Sequence, residues 1–254
     1  MTAAARRPRR SGGGKIDDLV QELAATYRLL ARHGIVDAYG HVSVRDPRDA
    51  GRYLISRSRA PLLIEPADIV VLDLDSEPVK RDARPLYSER FIHGELYRAR
   101  PDIGAVVHHH APATVAFSIS EAPFRAVYHM SAFVGDGVPN FDIYTAAGAA
   151  TDMLVRTPAL GRVLAQTVGG APAALMRGHG AVVAGESLAQ VVSRSFYMEL
   201  NARIQLDAIR LGATVHYLHP EEARLATRNL GGYERAWELW KREAPRPPGN
   251  RKAR

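Results

Sequence analysis

The sequence contains no cysteine. Disulfides and thiolate metal sites are therefore excluded, and a transition-metal site in this chain has to use histidine and carboxylate ligands. No apolar run approaches the roughly 20 residues that a transmembrane helix needs, and no apolar segment follows the basic residues at the start of the chain, as it would in a signal peptide. These absences favour a cytoplasmic enzyme without a membrane partner.

Acidic residues are scarce at both ends of the chain. Residues 1–15 carry a net charge of +5 and residues 241–254 a further +5, which leaves the segment 16–240 at −3 although the whole chain is at +7. Because the positive charge is confined to Pro/Gly-rich ends, we expect no nucleic-acid partner. We predict a basic disordered tail over 1–15, one catalytic domain over 16–240, and a basic Pro-rich tail over 241–254.

Periodicity in the apolar residues predicts a mixture of helices and strands. From Ile16 the apolar positions recur at helical spacing and end at Gly34, a suitable C-cap, and a long helix is predicted after Ser187 as N-cap. Alternation predicts a hairpin of "HVSV" and "RYLIS", a strand pair in "DIVVLDLDSEPV", a strand ending in "VVHHH", and a hairpin through Gly178 and Gly180. Without regular βαβ repetition, this pattern favours an α/β layer fold with a largely antiparallel sheet.

Three histidines, His108 to His110, follow one another at the end of a predicted strand. Residues i and i+2 of a strand project to the same face, so His108 and His110 can share a metal ion while His109 points away. A third ligand has to come from elsewhere, and His179, between two glycines, is the candidate. The alternative is that these are partly solvated histidines without a function.

A catalytic metal site also needs an acid or base close to an open coordination position. Glu89 is the leading carboxylate, because it lies in the predicted first turn of the helix that leads into the histidine strand. The alternative is that Glu89 only interacts with the helix dipole. His93, four residues later on the same helical face, is either a partner that supports the site from behind or a surface histidine, and the second interpretation is preferred.

Three segments together carry a family resemblance: "GHVSVR", "SERFIHGELYRARPDIGAVVHHHAP" and "MRGHGAVVAGES". In order and separation they resemble the class II aldolase/adducin family of metal-dependent lyases, over about residues 16–225. The resemblance implies a three-layer α/β/α sandwich around a largely antiparallel sheet, and a homotetramer with active sites between subunits. It implies His108, His110 and His179 as metal ligands, with Glu89 as acid/base. The metal is expected to be one divalent cation, preferably Zn²⁺, with Mn²⁺, Fe²⁺ and Co²⁺ open because imidazole discriminates poorly among them.

The chain departs from the phosphate-binding pattern of the sugar-phosphate aldolases in this family. His41 stands where those aldolases have an Asn, and Tyr87-Ser88 stands where they have paired serines. His129 corresponds to a tyrosine that the aldolases contribute from a neighbouring subunit. The aligned polar residues are predicted to bind substrate: His41, Ser43, Ser56, Arg57, Ser58 and Ser88.

These replacements resemble the branch of the family that decarboxylates hydroxylated aromatic dicarboxylates. The resemblance implies a metal-dependent carbon–carbon lyase that decarboxylates a hydroxylated aromatic or heteroaromatic acid in a catabolic pathway, with Glu89 and His129 as catalytic residues. Arg57 and Arg59 are candidates to hold a second carboxylate, or else ordinary surface charges. Two alternatives stay open: an aldolase acting on a small hydroxy-carbonyl compound or sugar phosphate, and a non-catalytic interaction module like adducin.

Overall fold

One seven-stranded sheet forms the centre of the chain in the computed structural model, which describes residues 13–229 and 233–245. The strands are β1 His41–Arg45, β2 Arg52–Ser56, β3 Ile69–Asp73, β4 Ala105–His109, β5 Asn140–Phe141, β6 Ala173–Met176 and β7 Gly180–Gly185. Their order in the sheet is β3-β2-β1-β4-β7-β6-β5. All neighbouring strands pair antiparallel except β5 and β6, which are parallel. The predicted largely antiparallel sheet is confirmed.

Helices cover both faces of the sheet. They are α1 Gly13–Arg32, α2 Phe91–Ala99, α3 Pro112–Ser118, α4 Ile143–Ala147, α5 Pro158–Val168, α6 Leu188–Arg210, α7 Pro220–Asn229 and α8 Tyr233–Glu243. On one face, Val107 belongs to a core that includes side chains of α1, α3, α6 and α8. On the opposite face, Val106 belongs to a second core formed with α2 and α5. The molecule is therefore the predicted three-layer α/β/α sandwich.

Local sequence signals explain where several elements begin and end. The chain leaves α1 at Gly34, whose φ of +67° is readily available to glycine, and the Ser187 side chain accepts a hydrogen bond from the Gln190 amide at the start of α6. The hairpins β1–β2 and β6–β7 form as predicted. The predicted strand pair in "DIVVLDLDSEPV" forms only in part: β3 is a full strand, and Pro78 makes one isolated antiparallel bridge to its Leu72. The Asp73 carboxylate accepts hydrogen bonds from the amides of Asp75 and Glu77 and folds the residues between into a turn.

The first and last described helices extend slightly beyond the predicted domain limits of 16 and 240. Helix α1 begins at Gly13 and α8 continues to Glu243. The last helix is fastened to the core by its indoles, since Trp237 and Trp240 are buried and the Trp237 indole N–H donates to the Glu22 carboxylate. The remainder of both predicted tails lies outside the described residues, apart from residues 244 and 245.

Within the described ranges, none of the helices is both long and apolar enough to cross a membrane.

Candidate metal centre and active site

The centre of the sheet brings the predicted metal-binding groups together. One ligand atom from each of Glu89, His108, His110 and His179 lies within 4.8 Å of the others. His108 lies on β4 and shares its sheet face with Val106, whereas His109 lies on the opposite face, as strand alternation predicts. His110 follows the end of β4, and His179 lies in the turn between β6 and β7.

The distances in this cluster suit a single small cation. His108 Nε2 lies 3.0 Å from His110 Nε2, and Glu89 Oε2 lies 3.5 Å from His179 Nε2 and 3.7 Å from His108 Nε2. A Zn²⁺ ion with ligands at about 2.0–2.1 Å in tetrahedral geometry has its ligand atoms about 3.3 Å apart. The four groups are therefore spaced as the ligands and the nearest carboxylate of one ion would be.

Backbone carbonyls orient two of the imidazoles. His108 Nδ1 donates to the Ala181 carbonyl at 3.1 Å, and His179 Nδ1 donates to the Met153 carbonyl at 2.9 Å. A neutral imidazole that donates through Nδ1 has a lone pair at Nε2, and this arrangement is typical of metal-ligating histidines. The donor set therefore fits a divalent cation.

Burial favours the neutral form of two of these histidines. Desolvation, followed by the charges of neighbouring histidines, lowers the pKa of His108 well below its ordinary value and also lowers that of His110. For His179 burial opposes the charged form, but the adjoining Glu89 carboxylate outweighs it and raises the pKa. Neutral imidazole is the form that binds metals, so His108 and His110 are prepared for ligation at neutral pH.

Glu89 is buried and held by one of its two oxygens. Oε1 accepts a hydrogen bond from the Val155 amide at 2.9 Å, which leaves Oε2 facing the histidines. The residue lies in the turn that precedes α2, not in its first turn as predicted, because the amides of Ile92 and His93 bond to carbonyls only three residues back, as in a tight turn. The carboxylate is thus fixed in position with one oxygen available for chemistry.

A cavity of about 540 Å³ opens beside the cluster. Three of the predicted substrate-binding residues, His41, Ser58 and Ser88, line it together with Glu89 and His110. The walls also include residues that the sequence did not single out as site residues: Tyr39, Tyr87 and Leu154. The cavity is therefore bordered by both the proposed acid/base and one predicted metal ligand.

The other three predicted substrate-binding residues contact protein groups instead. Ser43 is fully buried against His93 and Tyr97, and the Ser56 hydroxyl donates to the Arg57 carbonyl. Arg57 pairs with Asp68 at 2.7 Å. None of the three lines the cavity, so a direct contact with substrate is not favoured for them.

The two arginines predicted to hold a second carboxylate share a carboxylate of the protein. Arg59 Nη1 lies 2.6 Å from Asp68 Oδ2, while Arg57 Nε binds the other oxygen. Of these two arginines only Arg59 lines the cavity. It is therefore the one positioned to meet a ligand anion, with part of its charge already neutralised by Asp68.

His129 begins the short 3₁₀ helix His129–Val134, which packs against α6 and α7. Its side chain is exposed and is not among the residues that line the cavity. Its predicted catalytic role therefore depends on a contribution to the cavity of a neighbouring subunit, and stays a prediction.

His93 was interpreted as a surface histidine, and this interpretation is wrong. Its side chain is fully buried, with ring nitrogens 2.6 Å from His41 Nδ1 and 2.6 Å from the Ser43 hydroxyl. Helix α2 is covered by the sheet on one side and by α5 on the other, so that the polar side chains of His93, Glu95 and Tyr97 are buried as well. The spacing of four residues from Glu89 was the available signal, because it puts both residues on one side of the segment.

Comparison with known proteins gives consistent results. The family described as Class II Aldolase and Adducin N-terminal domain matches residues 21–206. The decarboxylase tropJ of Talaromyces stipitatus is 36% identical over 239 residues, covering 85% of this chain and 90% of that protein. A 3,4-dihydroxyphthalate decarboxylase of Arthrobacter keyseri is 30% identical over 243 residues, covering 89% and 92%. Among solved structures, an L-fuculose 1-phosphate aldolase superposes with a TM-score of 0.72 at 25% identity, covering 84% of this chain and 96% of that one.

Proposed function

Because the chain belongs to the class II aldolase and adducin family, we propose that it is a metal-dependent lyase that decarboxylates a hydroxylated aromatic or heteroaromatic acid. The observation that carries this proposal is the cluster of three histidines beside a carboxylate with one free oxygen, at the wall of a cavity of about 540 Å³. The two decarboxylases similar over most of their length support the reaction type.

His108, His110 and His179 would hold one divalent cation, with Zn²⁺ preferred for an all-imidazole set. A cation bound there supplies Lewis-acid stabilisation of the negative charge that develops as CO₂ leaves. The carbonyls of Ala181 and Met153 keep two of the imidazoles in the orientation that ligation requires.

Glu89 is proposed to transfer a proton to the substrate carbon. Glu89, a carboxylate at rest, takes up a proton at Oε2 from solvent through the cavity. When the bond to the departing carboxylate breaks, its electron pair remains on the ring carbon, and that carbon takes this proton from Glu89 Oε2. The Val155 amide holds the opposite oxygen, so the proton is presented from one fixed position. The transfer returns Glu89 to its carboxylate form.

The remaining polar groups are proposed to orient the substrate. His41, Ser58 and Ser88 line the cavity, and Arg59 adds a cation that suits a second carboxylate of the substrate. We further propose a cytoplasmic homotetramer in which His129 reaches the cavity of a neighbouring subunit. The mass of the assembly in solution, measured by light scattering, tests that arrangement.

Aldol cleavage is the second candidate, since the fold is shared with an L-fuculose 1-phosphate aldolase. The same cation and the same carboxyl group serve either reaction, because both stabilise negative charge left by a broken C–C bond. The imidazole of His41 at the cavity wall, where the aldolases have an Asn, favours decarboxylation. For a non-catalytic module, the intact set of three histidines has no explanation.

The test combines metal analysis with two product screens on the purified chain. Release of CO₂ is measured from 3,4-dihydroxyphthalate, hydroxybenzoates and pyridine dicarboxylates, and release of aldehyde from sugar phosphates. The proposal expects CO₂ from an aromatic acid, loss of that activity with a chelator, and recovery when Zn²⁺ is returned. Full activity in metal-stripped protein would refute it, and aldehyde release alone would assign the second candidate.

A further inference from the structure

A chain of hydrogen bonds leads from the cavity into the core between α2 and the sheet. His41 Nδ1 lies 2.6 Å from His93 Nε2, His93 Nδ1 lies 2.6 Å from Ser43 Oγ, and Ser43 Oγ lies 2.8 Å from the Tyr97 hydroxyl. His41 and Ser43 are two residues apart on β1, and His93 and Tyr97 are four apart on α2, so each pair shares one face of its element. All four side chains are buried.

The inner end of the chain fixes its direction. Within the described ranges, the Tyr97 hydroxyl has no hydrogen-bond partner other than Ser43. Burial raises the pKa of Tyr97, so the hydroxyl keeps its proton. A buried O–H without an acceptor is costly, and the Tyr97 proton is therefore directed at Ser43 Oγ.

The remaining protons follow from this one. Ser43 has a single proton and, having accepted from Tyr97, donates it to His93 Nδ1. Burial lowers the pKa of His93 to about 3, so His93 is neutral and carries its one N–H at Nε2, where it donates to His41 Nδ1. The opposite direction leaves the Tyr97 proton without an acceptor, which disfavours it by roughly tenfold or more.

The outer end of the chain is the imidazole of His41 at the cavity wall. His93 Nε2 donates to its Nδ1. Since His41 accepts at Nδ1, its proton has to be at Nε2. Among the described residues, His41 Nε2 has no hydrogen-bond partner. Because it is not among the fully buried side-chain nitrogen and oxygen atoms that lack a partner, this nitrogen is accessible, and it opens to the cavity that His41 lines.

We infer that His93, Ser43 and Tyr97 are positioning residues that hold His41 as an N–H donor directed into the cavity. The complementary substrate group is an acceptor oxygen, a carboxylate or phenolate of the proposed acid; this identification of the ligand rests on the proposed function. The same tautomer explains why His41 is not a further metal ligand, although its ring centroid lies 5.0 Å from that of His108. An imidazole protonated at Nε2 has no lone pair there for a cation.

Solid-state ¹⁵N NMR of the full chain, labelled at histidine and loaded with diamagnetic Zn²⁺, reports the tautomer directly. Protonated and unprotonated ring nitrogens have well-separated chemical shifts, and the signals are assigned by their loss in His41→Gln and His93→Gln. Both His41 and His93 are expected to carry the proton at Nε2. A His41 proton at Nδ1, or an equal mixture, would overturn the inference.

A second comparison tests whether the chain, rather than the surroundings of His41, sets the tautomer. Ser43→Ala removes the link to Tyr97, and a second His41 tautomer should then reach roughly a tenth of the population or more. Ser195→Ala is the matched control, because Ser195 is equally buried but its hydroxyl donates within α6 to the Val191 carbonyl. A single unchanged His41 tautomer in Ser43→Ala would show that other surroundings of His41 set the tautomer, and would refute the positioning role.

These spectra are independent of turnover. Failure of every CO₂-release assay would refute the proposed function and leave the tautomer result standing. An Nδ1-protonated His41 in a protein that does release CO₂ would refute the positioning role and leave the proposed function standing. His93→Gln adds a rescue test, since an amide can accept from Ser43 and donate to His41 and should preserve the His41 tautomer, whereas His93→Leu should not.

Discussion

The three consecutive histidines are predicted to differ in metal binding: two are ligands and the middle one is not. His108 Nε2 lies 3.0 Å from His110 Nε2 and faces Glu89, whereas His109 Nδ1 accepts from the Ala111 amide at 3.3 Å on the other face of the sheet. His108→Ala removes a ligand, and His109→Ala removes none. The two variants delete the same group one residue apart on the same strand.

The loss of metal affinity expected in His108→Ala has a lower bound. Loss of a partner that only orients a ligand costs about 10–100-fold in metal affinity, so loss of the ligand itself should cost at least about 100-fold, or about 2.8 kcal/mol. His109→Ala leaves a cavity in the core and should lower the free energy of unfolding by about 2–4 kcal/mol with little change in affinity.

The assay is a Zn²⁺ titration against a competing chelator, with thermal melting of each variant recorded alongside. Melting separates loss of fold from loss of ligand, because only His108→Ala should lose metal while still folded. Equal loss of affinity in both folded variants would show that strand alternation does not decide which histidines bind.

Two further predictions concern the scaffold. Gly180→Ala places a Cβ well inside contact distance of the His109 carbonyl oxygen and should lower the free energy of unfolding by about 1–3 kcal/mol or more in chemical denaturation. Gly170→Ala, with nothing within 4 Å of its Cβ, should not, and equal midpoints for the two variants would contradict this. Burial lowers the pKa of His93 to about 3, so the unfolded chain binds this proton first as the pH falls. His93 alone should contribute about 2 kcal/mol to the fall in stability between pH 7.5 and 5, and His93→Gln should reduce the total fall by about that amount; an unchanged slope would refute the assignment.

Short-range patterns in the sequence were sufficient for much of the fold. The hairpins follow from alternation and turn residues, and the α/β layer fold with a largely antiparallel sheet follows from the mixture of helices and strands; the three-layer order was implied by the family resemblance. The pair His108 and His110 follows from the two-residue repeat of a strand. These features depend on neighbours in sequence, which is why the structure agrees with them.

The disagreements depend on contacts between distant segments. His93 lies on a helix enclosed by a sheet and another helix, and nothing in its neighbouring residues reports that enclosure. Three polar residues lie close in sequence to residues that line the cavity, but they form hydrogen bonds within the protein: Ser43, Ser56 and Arg57. The partners of Ser43 and Arg57 are 54 and 11 residues away, and Ser56 donates to the adjacent carbonyl. The predicted catalytic role of His129 requires a neighbouring subunit and stays a prediction.

The central claim is that Glu89 performs proton transfer beside a cation held by three histidines. Glu89→Gln is nearly isosteric and its amide oxygen can still accept from Val155, so metal binding should persist while CO₂ release is lost. Glu95→Gln is the matched control, a buried glutamate on α2 that faces Arg98 and Arg162 instead of the histidines. Metal content and CO₂ release are measured on the same preparations. Retained metal with turnover reduced at least about 100-fold in Glu89→Gln alone is the predicted result; full turnover in that variant would contradict the account.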